Sequence, residues 1–301
     1  MLELKNPKVA VPVVLFAGLI WSFGPLVVRY MNDPQLIPWQ YIFGRGLTIF
    51  ILLNLYLYFE EGINFYKNYF KMGISGIIGG SGLGVAMISF MFSITNTSAA
   101  VTLLCLAAMP FFTALLAFLF LKEKISLNVW ISIFMATIGI IIMALGNQSE
   151  ASLIGFIFGI TSSMGFAVFS VTLRWRKETP KFTTTAFAGF FCFVFATIVI
   201  LIKGQNFFST SYNSSLFSLH GTLVCLGLIL YSIGSKAIPA AELTLLSLTE
   251  VIGGIFWVWL PLFGINEVPS SNTIIGGFFL FISLTYYSLI MRWNKRFIGL
   301  N

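Results

Sequence analysis

The sequence predicts an all-α polytopic membrane protein: ten transmembrane helices in two inverted five-helix repeats, residues 1–148 and 149–301. Three observations lead there. Of the 301 residues, 58% are hydrophobic and only 9% charged, with a mean hydropathy of +0.94, so the chain has too few charges to coat a soluble globule of its size. The apolar residues gather into ten runs of spanning length. The second half of the chain also echoes the first at a constant offset.

The first run, Val9 to Met31, is longer than a signal-peptide core and has no small-residue cleavage site after it, so it reads as a first transmembrane helix. The others are Pro38 to Phe59, Met72 to Ile94, Ala99 to Leu121, Leu127 to Leu145, Leu153 to Leu173, Thr183 to Ile202, Leu216 to Ser235, Pro239 to Phe263 and Thr273 to Met291. Each has 19 to 25 residues, and a bilayer core about 30 Å thick needs about 20 at 1.5 Å per residue. Turn-like connections such as NDPQLIP, TNTSA and GNQSEAS leave no room for a soluble domain. Gly76, Gly80 and Gly84 form a small-residue stripe, as do Gly155 and Gly159, where backbones can approach closely. Pro110, in the middle of the fourth span, removes a backbone hydrogen bond and marks a candidate hinge.

Charge placement sets the orientation. Of the 17 Lys and Arg residues, 14 fall in loops on one side, and only Arg29 and Lys203 sit at helix ends on the other. Positive-inside then puts both termini in the cytoplasm, as for a bacterial inner membrane, with Arg29 and Lys203 snorkelling to the outer headgroups. The net charge of +7 is spread over alternate loops, which explains the basic excess without nucleic acid. Cys105, Cys192 and Cys225 stand singly in apolar runs, with neither metal-ligand nor disulfide spacing.

A gap-free shift of 141 residues superposes Gly18 on Gly159, Gly24 on Gly165, Gly80 on Gly221, Ala99 and Ala100 on Ala240 and Ala241, and Leu104 on Leu245. One shift thus aligns three helix pairs. Five helices per half is an odd number, so the second copy enters the membrane from the opposite side. That is the arrangement of alternating-access transporters, with the site near the midplane. The competing reading is chance agreement among small residues.

Three charged residues sit inside spans: Arg45, Glu242 and Glu250. A charge near the bilayer centre costs roughly 3 kcal/mol on insertion scales, so such residues face protein or a wet cavity. The two acids are eight residues apart, about 80° of turn and about 12 Å of rise on a continuous helix, so both can face one cavity from different depths. For Glu250 the functional reading is a substrate or proton site; the structural one is a partner for a buried cation or hydroxyl. Glu242, near Lys236, suits a gate or an interfacial ion pair equally well. Arg45 needs a carboxylate, backbone carbonyls or an anionic substrate group, and Glu250 lies at the closest depth; snorkelling is the alternative. Tyr231 and Ser247 are candidates to line the cavity, Trp21 with Ser22 makes a polar notch in the first span, and Met109 stands opposite Glu250 in the repeat register. For Trp21 and Tyr231, packing or interfacial anchoring competes with ligand contact. His220 starts the eighth span at a membrane edge, where an interfacial role is expected. No triad, paired-His or phosphate-loop pattern points to an enzyme.

The stretches LIWSFGPLVVRYM, PWQYIFGRG and TSAAVTLLCLAAMPFFTALLAFLFLKEKIS, with LGLILYSIGSKAIPAAELTLLSLTEVIGGIFWVWL and NEVPS in the second half, resemble EamA domains of the drug/metabolite transporter superfamily. The resemblance implies ten helices in two inverted repeats around an alternately opening cavity, and export of amino acids and other small metabolites. It also aligns Trp21, Arg45 and Glu250 with a helix-one Trp, a helix-two Arg of one bacterial subgroup and the Glu of a Glu-Pro-Val motif. The chain departs in having Val251 where Pro is usual, and in the longer LPLFGIN connection before Glu267.

The expectation is therefore a secondary transporter of a small polar metabolite, an amino acid or derivative moving outward, with a coupled proton as a candidate partner. An organic cation or a nucleotide-like solute is the alternative cargo; a non-transporting membrane scaffold is the alternative of another class. No cofactor, metal or nucleic acid is expected. Membrane lipid surrounds a monomer or homodimer.

Overall fold

The computed structural model describes residues 6–146, 152–176 and 178–298. Lys5, Lys177 and the expected boundary between residues 148 and 149 lie outside them. The described chain is helical, without strands: α1 (Pro7–Trp21), α2 (Gly24–Arg29), α3 (Pro38–Glu61), α4 (Lys67–Lys71), α5 (Gly73–Asn96), α6 (Ala99–Leu106), α7 (Met109–Leu116), α8 (Leu127–Gly146), α9 (Leu153–Trp175), α10 (Lys181–Lys203), α11 (Ser211–Gly234), α12 (Ala240–Ser247), α13 (Thr249–Trp259) and α14 (Ser271–Ile298). Among the described residues, eight helical stretches are long and apolar enough to cross a membrane. The fifth and tenth predicted spans fall on two shorter apolar stretches, Leu127–Ile142 and Ile274–Tyr287.

Local chemistry sets the helix ends. Asn6 caps α1 by accepting from the Lys8 amide, and Pro7 occupies the first turn, where a missing N–H costs nothing. Ser98, Ser152 and Thr210 cap α6, α9 and α11 in the same way. Three of the ten predicted spans break in mid-course. The first breaks at Ser22–Phe23, the fourth at Ala107–Ala108 and the ninth at Leu248. Pro110 does not bend a running helix. It sits in the first turn of α7, just past the break, where its missing N–H costs nothing. The ninth span breaks at Leu248 with no proline beside the break.

Apolar side chains such as Phe118, Phe120, Phe134 and Ile202 point outward, as a lipid solvent requires. The hydroxyls of Thr48, Thr137, Thr161 and Thr197 are turned back onto the carbonyl four residues earlier, which satisfies them without leaving the helix. The most extensive helix pairs are α5 with α9, α8 with α14, and α3 with α10; α5 with α10, α1 with α11 and α3 with α11 follow. The Gly80 stripe seats α10, since a Cβ on Gly80 would stand 2.8 Å from the Thr184 carbonyl oxygen.

Arg29 departs from the snorkelling expected of it. Its guanidinium donates to Glu267 Oε1 at 2.5 Å and to the carbonyls of Ile94 and Thr97 at 3.1 and 3.3 Å. A carboxylate and two helix-end carbonyls within reach outcompete headgroups outside. Lys203 keeps an edge position, with its ammonium 5.9 Å from the Trp39 ring centroid.

Candidate functional site

The broken helices meet around a central cavity lined by Trp21, Arg45, Phe90, Met109, His220 and Glu250, with Met87, Leu106 and Phe166 among its apolar walls. The space open to the centre of a water-sized sphere is about 70 Å³. One water needs roughly 10–15 Å³ on that measure, so the cavity takes a few waters or a small solute.

Arg45 is 3% exposed. Its Nη1 donates to the Tyr41 hydroxyl at 2.8 Å and its Nη2 to the Met87 carbonyl at 2.6 Å. The guanidinium carbon lies 4.9 Å from the Tyr41 ring centroid and 6.0 Å from that of Phe90. Tyr41 lies 2.6 Å from Nδ1 of His220. The phenol oxygen thus accepts from Arg45 while it is also hydrogen-bonded to the imidazole. His220, Tyr41 and Arg45 thus form one hydrogen-bonded chain reaching the cavity wall.

Glu250 lies in the first turn of α13, directly past the break at Leu248. Its depth is set by Gly18: a Cβ there would lie 2.0 Å from Thr249 Oγ1, 3.0 Å from the Ser247 carbonyl oxygen and 3.3 Å from the Glu250 amide nitrogen. Only a glycine lets α1 come this close. Among the described residues no hydrogen bond or ion pair reaches the Glu250 carboxylate. Arg45 and Glu250 therefore share a cavity without pairing. Met109 occupies the matching first turn of α7.

Trp21 closes one side. Its Nε1 donates to the Val224 carbonyl at 3.2 Å, and its ring packs edge-on to Phe166 at 5.6 Å and tilted to Tyr231 at 5.4 Å. Tyr231 stands behind this wall, fully buried, with its hydroxyl 2.6 Å from Ser170 Oγ. Ser247 is buried and donates to the Thr244 carbonyl at 2.8 Å. Glu242 accepts from the Tyr287 hydroxyl and so faces α14. The structure therefore brings Trp21, Arg45, Met109 and Glu250 into one cavity and leaves Tyr231, Ser247 and Glu242 off its lining. The expected pairing of the two acids in one cavity assumed a continuous helix; the break at Leu248 resets the register between them.

His220 and Tyr41 are the residues that sequence reading missed. His220 is 2% exposed and lies in the third turn of α11, not at its start, because the polar opening Ser211 to Ser215 is helical. The signal was Thr210, a cap residue one position before that segment.

The sequence model of the EamA-like transporter family matches residues 8–145. A protein of Helicobacter pylori strain J99 named as an uncharacterized transporter is 27% identical over 171 residues, 56% of each chain. A protein of the same name from H. pylori strain 26695 is 26% identical over the same share. The chain thus spans about half the length of the curated relatives it matches. A solved crystal structure, 14% identical, superposes with a TM-score of 0.74 over 96% of this chain and 99% of its own, so the fold is shared. Over residues 8–145 the chain is thus similar to the EamA-like transporter family.

Proposed function

We propose that the protein is a secondary transporter that moves a small zwitterionic metabolite, an amino acid or derivative, by alternating access between two inverted five-helix repeats, residues 1–148 and 149–301. The observation that carries the reading is a single cavity lined by the Arg45 guanidinium and the Glu250 carboxyl group, which do not pair. Such a cavity suits a solute with both a carboxylate and an ammonium, and Trp21, Phe90 and Phe166 supply aromatic faces for the ammonium end. The small volume favours such a solute over a nucleotide-like one.

The repeat reading draws support from packing. Exchanging the halves maps the pair α1·α11 onto α5·α9 and returns α3·α10 and α8·α14 to themselves, and all four are principal contacts. The breaks at Ala107–Ala108 and Leu248 also agree in the 141-residue register. Ten crossings, an inner membrane, cytoplasmic termini and outward transport belong to this proposal. So does a hinge at the break beside Pro110.

Purified protein in proteoliposomes, screened for metabolites that raise its melting temperature and then for flux of the hits, tests the reading. Glu250→Gln is expected to abolish or uncouple flux, and Arg45→Lys to reduce it at least tenfold, since a lysine cannot hold both Tyr41 and Met87. Full flux in a triple Arg45→Ala, Glu242→Gln, Glu250→Gln variant would leave the cavity without a role. A pH-independent flux that persists in Glu250→Gln would exclude Glu250 as a proton carrier.

A further inference from the structure

Two arginine clusters stand at opposite ends of the molecule and are built to one plan. In the first, Arg29 at the end of α2 uses Nε for Glu267 at 2.5 Å and its Nη atoms for the carbonyls of Ile94 and Thr97, where α5 gives way to α6. In the second, Arg174 in the last turn of α9 uses Nε for Glu123 at 2.8 Å and Nη1 for the carbonyls of Ser235 and Ile238 at 3.1 and 2.8 Å, where α11 gives way to α12. Adding 141 to 94 and 97 gives 235 and 238, so the accepting carbonyls correspond residue for residue. The arginines and carboxylates correspond within about one helical turn: the register mate of Arg29 is Ser170, and that of Glu123 is Gly264.

In both clusters the arginine and its carbonyls belong to one half of the chain and the carboxylate to the other. Each carboxylate follows a broken span, Glu123 after α7 and Glu267 after α13. The span from Ala99 to Leu121 runs from one cluster to the other, and its 23 residues cover about 34 Å. The clusters thus tie each broken helix to the opposite half, one at each end of the cavity. Both are formed at once in this structure.

We propose that they are the two gate latches: Arg29–Glu267 must part for the cavity to open at one membrane face, and Arg174–Glu123 at the other. This rests on the alternating-access reading above. A purely structural staple at these places would stabilise the fold without deciding which face the cavity meets. A latch makes that choice.

The test is side-specific thiol labelling. Leu228 lines the cavity, so Leu228→Cys, with Cys105, Cys192 and Cys225 replaced by Ala, reports its access to a membrane-impermeant maleimide. Spheroplasts present one face and inverted vesicles the other. Arg29→Gln is expected to raise labelling about fivefold in one preparation, and Arg174→Gln by about as much in the other. Should an arginine variant fail to fold, Glu267→Gln and Glu123→Gln keep the side-chain shape and are expected to act on the same faces as their partners. Increases on both faces alike, on the same face for both clusters, or on neither would overturn the proposal. The readout is separate from flux. Labelling that changes side in a protein that carries no solute would keep the latches and remove the transport function, and flux with side-independent labelling would do the reverse.

Discussion

The close approach of α1 to the α12–α13 break, beside Glu250, is directly testable. A Cβ added at Gly18 would stand 2.0 Å from Thr249 Oγ1, well inside any van der Waals contact. Thr249 cannot swing away freely, because its hydroxyl donates to the carbonyls of Leu15 and Leu246, both at 3.2 Å. Rotation relieves the clash at the loss of that hydrogen bond, about 1 kcal/mol. The remaining 3.0 Å approach to the Ser247 carbonyl oxygen then forces α1 off the α12–α13 break, an overpacking cost of about 1–3 kcal/mol. Gly18→Ala is therefore expected to destabilise by about 2–4 kcal/mol, a fall in melting temperature of about 5–10 °C for purified protein in detergent. Removing the colliding atom should recover part of this. Thr249→Ala alone costs about 1 kcal/mol for its lost bond, but with Gly18→Ala the pair should be milder than the sum of the singles by at least about 1 kcal/mol. A Gly18→Ala protein that melts with the wild type, or a double variant that is strictly additive, would refute the contact as the cause.

Three further outcomes follow from the same geometry. Tyr41→Phe removes the oxygen shared by Arg45 and His220 and is expected to lower stability by about 2–3 kcal/mol, one charge-assisted and one neutral hydrogen bond, with reduced flux; a thermal melt and a flux assay read it, and an unchanged pair of values would remove the chain from the site. Glu242→Gln and Tyr287→Phe break a contact away from the cavity, so each should lower the melting temperature by a few degrees while leaving solute affinity in the thermal-shift titration unchanged. Ser98→Ala removes the side-chain cap of α6 and should cost about 1 kcal/mol, seen in the same melt.

Some of the site was legible in the residues. Arg45 and Glu250 stand out because a charge inside an apolar run must find protein or water, and both line the cavity. Trp21 and Met109 join them. Glu242 obeys the same rule and yet answers to Tyr287, since the rule says that a buried charge needs company without saying which. Arg29 shows the same gap: its partner Glu267 is 238 residues away, and no local pattern pairs them. His220 was hidden because hydropathy locates apolar runs, and the polar first turn of α11 extends the helix beyond its apolar part. Proline was a poor guide to the breaks, present beside the one in the fourth span and absent from the one in the ninth.

By itself the amino-acid order determined that this chain lives in lipid as a set of apolar helices, and which few charges had to be sheltered within them. These follow from the cost of moving backbone and charge out of water, a property each segment carries alone. Only the tertiary structure decided where the spans break, which acid faces the cavity, and that Arg45 is held by Tyr41 and Met87 instead of Glu250. Those depend on distances of a few ångströms between helices remote in sequence, and such distances are set by the packing of the whole bundle.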